Sequence, residues 1–221
     1  MAITYVSAST NPAASASSLT YAFSTSGNNR FIATIVSGEV GTSDLITGVT
    51  YGGAAMTLAA KVPGTAGVSR YLYFYYLVAP ASGSNNIVVS ASSSTYIRSN
   101  TVLYNGVAQI SPVDIYTTNH SNSATSLTTT LVVSRTIDNS SWCILMAQDP
   151  NGCVAGTNST PRATTGGDYQ TFDSNGISPA GSFSMTFTNA SSYPMDSIMV
   201  ALKAYSTTTL KPRPGSLGSL L

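Results

Sequence analysis

Val49–Ser92 reads VTYGGAAMTLAAKVPGTAGVSRYLYFYYLVAPASGSNNIVVSAS, and this stretch decides the fold. Its apolar runs are short and are cut by Gly52-Gly53, by Pro63-Gly64 and by the polar turn from Pro80 to Asn86. Gly52-Gly53 suits a two-residue hairpin, because glycine accepts positive φ at no steric cost. Arg70–Val78 is the longest strand expected. Leu72, Phe74, Tyr76 and Val78 fall on one of its faces and Tyr71, Tyr73, Tyr75 and Leu77 on the other. Apolar side chains on both faces predict a strand covered from both sides.

The same pattern extends in both directions. Ile3–Ser7 alternates, Ala8–Ser18 reads as a small-residue loop, and Leu19, Tyr21 and Phe23 share one face of the next strand. Gly27-Asn28-Asn29 turns the chain into Phe31–Val36. Beyond the opening stretch, strands are predicted at Ser99–Tyr104, Val113–Thr117, Leu127–Val133 and Trp142–Gln148. Asp149 to Gly167 reads as long loops at one edge. Tyr169–Phe172, the alternation of Phe183, Met185 and Phe187, and Ile198–Ala204 complete the set. Roughly twelve to fourteen short strands with turns between them predict an all-β, two-sheet antiparallel β-sandwich over residues 1–205. Residues 206–221 form a separate segment, in which Pro212, Pro214, Gly215 and Gly218 exclude a regular element.

Composition narrows the function classes. Only 8% of the 221 residues are charged, and the formal net charge is +1. Nucleic-acid binding needs a concentrated basic face, which this chain lacks. No run approaches the ~18 apolar residues of a membrane helix. MAITYVSAST has neither a basic nor an apolar leader region, so assembly in a cytoplasm without export is expected. A bridge between Cys143 and Cys153 is open if they fall opposite each other across the turn Asp149-Pro150-Asn151-Gly152. A reducing cytosol favours two thiols. One histidine, His120, and two cysteines supply no recognised zinc spacing. His120 reads as a solvated residue of the loop Thr117–Ser123. Asp168, Asp173 and Asn175 could offer oxygens to calcium or serve turns, and no EF-hand loop pattern surrounds them. Glu39 and seven aspartates yield no carboxylate pair for glycoside hydrolysis. No enzyme, cofactor or metal is therefore expected.

Several motifs recur in order: Val49-Thr50-Tyr51-Gly52-Gly53 with Met56-Thr57, Tyr76–Pro80 with Asn85–Val89, Tyr104–Pro112, Asp138–Trp142 and Ile198–Lys203. In this the chain resembles a group of bacterial and phage β-sandwich proteins sharing VTYxGxxMT, YLVAPxxGxNxIVV, SYxGVxQxSP and DNSW motifs. Leu103 departs from the serine of that pattern, and an extra serine lengthens the turn before Trp142. The resemblance spans about Ser18 to Tyr205 and implies a jelly-roll or lectin-like surface module. It carries no catalytic residues. By analogy with its stand-alone members it implies a bacteriophage virion protein, such as a capsid decoration, head-fibre or tail-associated subunit.

Two sets of residues are the candidate interaction sites. Leu210, Leu217, Leu220 and Leu221 make residues 206–221 an extended arm expected to dock on a neighbouring subunit. Tyr71, Tyr73 and Tyr75 form an aromatic row that either packs against the protein or offers a platform to sugar rings. The partners expected are other virion proteins and further copies of the chain, with a host surface glycan as the alternative.

Overall fold

The computed structural model describes residues 2–10, 14–39, 43–63, 70–133, 141–149, 152–165, 169–176 and 180–206, with backbone alone for Thr10, Glu39, Val133, Thr164 and Thr165. Among these, every regular element is a β-strand. The first sheet holds β1 (Thr4–Thr10), β2 (Ala14–Thr25), β3 (Phe31–Glu39), β4 (Ile46–Tyr51), β5 (Ala54–Ala55), β6 (Thr57–Pro63), β7 (Tyr71–Val78) and β8 (Gly83–Asn105). The second holds β9 (Val113–Val133), β10 (Ser141–Gln148), β11 (Val154–Ala155), β12 (Thr160–Thr165), β13 (Tyr169–Asp173) and β14 (Gly181–Lys203). Both are antiparallel, and they pack face to face as a β-sandwich.

The core between the sheets alternates with the pleat. Phe31, Ala33 and Ile35 of β3, with Leu72 and Phe74 of β7, meet Trp142, Ile144 and Met146 of β10 and Ile198, Val200 and Leu202 of β14. The intervening residues of the same strands face away and enter two further cores. Ile32, Val36, Tyr73 and Tyr75 pack with Tyr21, Phe23, Ile87 and Val89. Cys143, Leu145 and Phe172 pack with Leu127, Leu131, Met185 and Phe187. These outer cores exist because the longest strands fold back over their own sheets. Tyr21 pairs with Ile87 in register, yet its hydroxyl reaches Ser99 and Thr101 in the other half of β8, each at 2.7 Å.

The two sheets repeat one plan. Their strand orders are β5-β4-β8-β3-β7-β6 and β11-β14-β10-β13-β12, and β1 and β2 border β8 as the single β9 borders β14. β8 and β14 both have 23 residues and correspond position by position, from Gly83 and Gly181 to Asn105 and Lys203. Both glycines have positive φ, 91° and 104°. The register irregularities also correspond. Val6 is the extra residue in β1 where Asp114 is in β9, and Ala59 in β6 where Arg162 is in β12. The hydroxyl contact of Tyr21 with Ser99 returns as Thr129 Oγ1 with Ser197 Oγ at 2.6 Å.

The β7 faces are as the sequence predicts, with Leu72 and Phe74 in the central core and Tyr73 and Tyr75 in the outer one. The Gly52-Gly53 hairpin pairs Thr50 with Ala55 and Tyr51 with Ala54, with φ of 56° and 84° at the glycines. Other expectations need correction. Thr4–Thr10 and Ala14–Thr25 are strands, so most of the expected Ala8–Ser18 loop is extended. His120 lies within β9 rather than in a loop, opposite Asp196. The expected loop from Asp149 to Gly167 contains β11 and β12. Three pairs of expected short strands merge into β8, β9 and β14. In β8 the polar residues Ser92–Ser94 carry the extended backbone from the pairing of Ala91 with β4 to that of Thr95 with β2 and Tyr96 with β3. In keeping with the favoured expectation of two thiols, Cys143 and Cys153 are both buried and are not bridged to each other.

Candidate functional site

The ionisable side chains gather where the two sheets meet. Asp173 ends β13, is fully buried, and accepts hydrogen bonds on Oδ2 from Tyr104 Oη at 2.9 Å and Arg162 Nε at 2.7 Å. Its Oδ1 accepts from the Asn175 backbone at 2.9 Å, closing an Asx turn in which Asn175 has φ of 47°. Arg162 also donates to Asn175 Oδ1 at 2.6 Å and lies over the Tyr5 ring at 4.3 Å. The guanidinium is positioned by the β12 irregularity, which displaces it from the regular pleat. Burial, with the Asp173 charge and its hydrogen bond, pushes the Tyr104 phenol well above its ordinary value. Tyr104 therefore remains a protonated donor. Burial lowers Arg162, but its bond to Asp173 outweighs that and raises it.

At the other end of β13, Tyr169 Oη accepts from Ser37 Oγ at 2.9 Å and from Arg70 Nη1 at 3.1 Å. With the Gln148 amide oxygen turned toward Arg70, it accepts from Arg70 Nε at 2.7 Å. Arg98 lies over the Tyr169 ring at 4.8 Å. β13 thus holds the first sheet by a polar contact at each end. These groups are bound to one another where the two sheets meet, with Tyr104 reaching Asp173 at one end of β13 and Ser37 reaching Tyr169 at the other.

A third ionic group sits at the surface. Lys61 pairs with Asp44 Oδ2, and Tyr73 donates to Asp44 Oδ1 at 2.7 Å. Burial is the largest single influence and raises the Asp44 carboxyl, but the bonds from Lys61 and Tyr73 and the Lys61 charge together prevail and hold it below its ordinary 3.8. A carboxylate depressed in the folded state adds stability above its unfolded pKa and loses it as pH falls through the folded one. Asp44→Asn should therefore lower the melting temperature at neutral pH, and the gap to wild type should close as pH drops below about 4. The effect is small, because the pair is exposed. Thermal melts at stepped pH check it, and a gap that widens toward acid refutes it.

The aromatic row stacks as a ladder, with Tyr71–Tyr73 centroids 6.0 Å and Tyr73–Tyr75 centroids 6.3 Å apart. Tyr73 and Tyr75 are buried in the outer core. Their faces thus serve packing, one of the two roles open to them in the sequence. Tyr75 also lines the floor of a surface hollow of about 500 Å³, with Thr47, Thr50, Met56, Leu58 and Ser90 around it. Leu210, Leu217, Leu220 and Leu221 lie outside the described residues, as does Asp168. Ser206, the last residue described, lines a hollow of about 260 Å³ beside Ile110, which is 87% exposed. Among the described residues, no three His, Cys, Asp or Glu side chains cluster as a metal site, and no helix is long and apolar enough to cross a membrane. Sequence reasoning considered Asp173 and Asn175 but missed Arg162, Tyr104 and Tyr169. A lone arginine in a Pro/Thr strand gives no signal of the partner it meets across the fold.

The chain matches no family model, no curated protein and no solved structure.

Proposed function

We propose that the chain is a non-enzymatic structural subunit of a bacteriophage particle. It acts as a capsid decoration, head-fibre or tail-associated β-sandwich, by packing against other virion proteins and against copies of itself. The observation that carries this reading is where the polar groups are spent. Buried polar groups bind one another inside the molecule: Arg162 pairs with Asp173 within the second sheet, and Tyr104 of the first sheet donates to the same carboxylate. The outward face of β9 and β14 carries hydroxyl pairs such as Thr128–Thr186 at 2.9 Å and Thr130–Ser184 at 2.7 Å. A broad uncharged surface lets identical neighbours pack without repulsion. Residues 206–221, rich in leucine, supply the arm for such contacts.

Immunogold labelling and mass spectrometry of gradient-purified phage particles test this. The expected result is the chain in stoichiometric amount on the particle, lost when residues 206–221 are deleted from an otherwise folded protein. A chain found only in the soluble fraction overturns the reading. The hollow over Tyr75 favours a second reading, a carbohydrate- or host-receptor-binding module, because hydroxyls and an aromatic ring line it together. Glycan-array binding that disappears on Ser90→Trp would favour that reading, and blank arrays would remove it.

A further inference from the structure

We infer that the chain is a tandem duplication whose two repeats, residues 2–105 and 113–203, meet through a two-fold interface, and that this same surface joins a second copy of the chain by reciprocal exchange of repeats. The inference goes beyond the virion reading and stands or falls without it.

The interface is self-reciprocal. β1 packs on β12 as its counterpart β9 packs on β6, and β8 meets β12 and β13 as β14 meets β6 and β7. That pattern belongs to a two-fold contact between like subunits, here made within one chain. Its chemistry, however, has lost the symmetry. Tyr5 and Tyr104 of the first repeat face Arg162 and Asp173 of the second. The positions related to these four by the repeat are Val113, Leu202, Ala59 and Tyr76, which join the central core. Pairing first repeat with first repeat would bury the Tyr104 hydroxyl against Tyr76 and Ala59 with no carboxylate to accept it. Pairing second with second would set Asp173 against Leu202. Only first with second satisfies both, since a buried polar group without a partner is costly. The interface is the same whether the second repeat comes from its own chain or from another.

The connection is suited to opening. Gly106 and Val107 donate to Asn28 and Asn29 of the first repeat, while Gly106 accepts from Tyr205 and Val107 bridges Ala204. Ala108 donates to Lys203, so the connection is bonded to both halves. Ser111 has φ of 48°, a left-handed conformation that serine rarely adopts, and it directly precedes Pro112. Straightening the connection into a second copy relieves that strain. A short tether keeps the effective concentration of the chain's own repeat high, so exchange is expected when chains refold together at high concentration.

The test uses the full chain, unfolded in guanidinium and refolded at a series of concentrations, then sized by chromatography with light scattering. A species of twice the monomer mass should grow with refolding concentration and persist on dilution. Ser111→Gly should reduce it severalfold. Deleting Gln109 and Ile110, which shortens the connection, should convert the chain mainly to that dimer with an unchanged circular-dichroism spectrum. Differently tagged wild-type chains should co-purify after joint refolding but not after mixing when folded. A wild type that refolds only as monomer, with tags that never co-purify, overturns the inference even if the shortened chain fails to fold.

Discussion

Arg162→Ala is expected to cost the folded chain roughly 3–5 kcal/mol, the range for removing one partner of a buried ion pair. Asp173 is fully buried, and Arg162 is the cation bonded to its Oδ2. The substitution leaves the carboxylate with the Tyr104 hydroxyl and the Asn175 amide, neither of which carries charge. It also removes the guanidinium from the Tyr5 ring. For a chain of this size the melting temperature should fall by roughly 6 to 20 °C. A loss below about 1 kcal/mol would mean that solvent screens the pair like a surface salt bridge. The triple change Arg162→Met, Asp173→Leu, Tyr104→Phe should recover most of the loss. The symmetry-related end of the interface is already built from Ala59, Tyr76, Val113 and Leu202, so an apolar filling is compatible with the backbone. Such a variant would keep stability while losing the bonds that distinguish one repeat from the other.

Phe31→Ala should cost a similar amount, roughly 3–5 kcal/mol, by a different route. Phe31 is fully buried between the sheets and stacks on Tyr76 with centroids 5.5 Å apart. Truncation removes the ring from both sheets at once and leaves a cavity that strands paired on either side cannot close. Trp142 occupies the corresponding place in the second repeat and packs edge-on against Tyr104 at 5.8 Å. Trp142→Ala should therefore lower the same unfolding transition, because the two repeats share this core. Urea unfolding followed by fluorescence and by circular dichroism checks both. Two separate transitions in the wild type would show that the repeats unfold independently.

Strand positions and faces were legible because the side-chain period of a strand is local. The alternation in Tyr71–Val78 sent Leu72 and Phe74 to one core and Tyr73 and Tyr75 to another, as read from the letters alone. Turns carried by Gly52-Gly53 and Asn28-Asn29 were equally local. The longest strands were not legible. Ser92–Thr95 looks like a loop, and only the fold shows it extended, with Ser92 donating to the Leu45 carbonyl and Thr95 opposite Ala16.

The all-β sandwich was therefore determined by the sequence itself, because apolar alternation and turn chemistry act within a few residues. The duplication was decided only by the tertiary structure, since the repeats preserve register, irregular positions and facing while residues such as Tyr104 and Leu202 have diverged. The polar seam was likewise invisible, because Arg162 and Tyr104 lie far apart along the chain and meet only when the sheets pack. A buried charge is tolerated only when its partner is close, and that proximity belongs to the fold rather than to any stretch of the sequence.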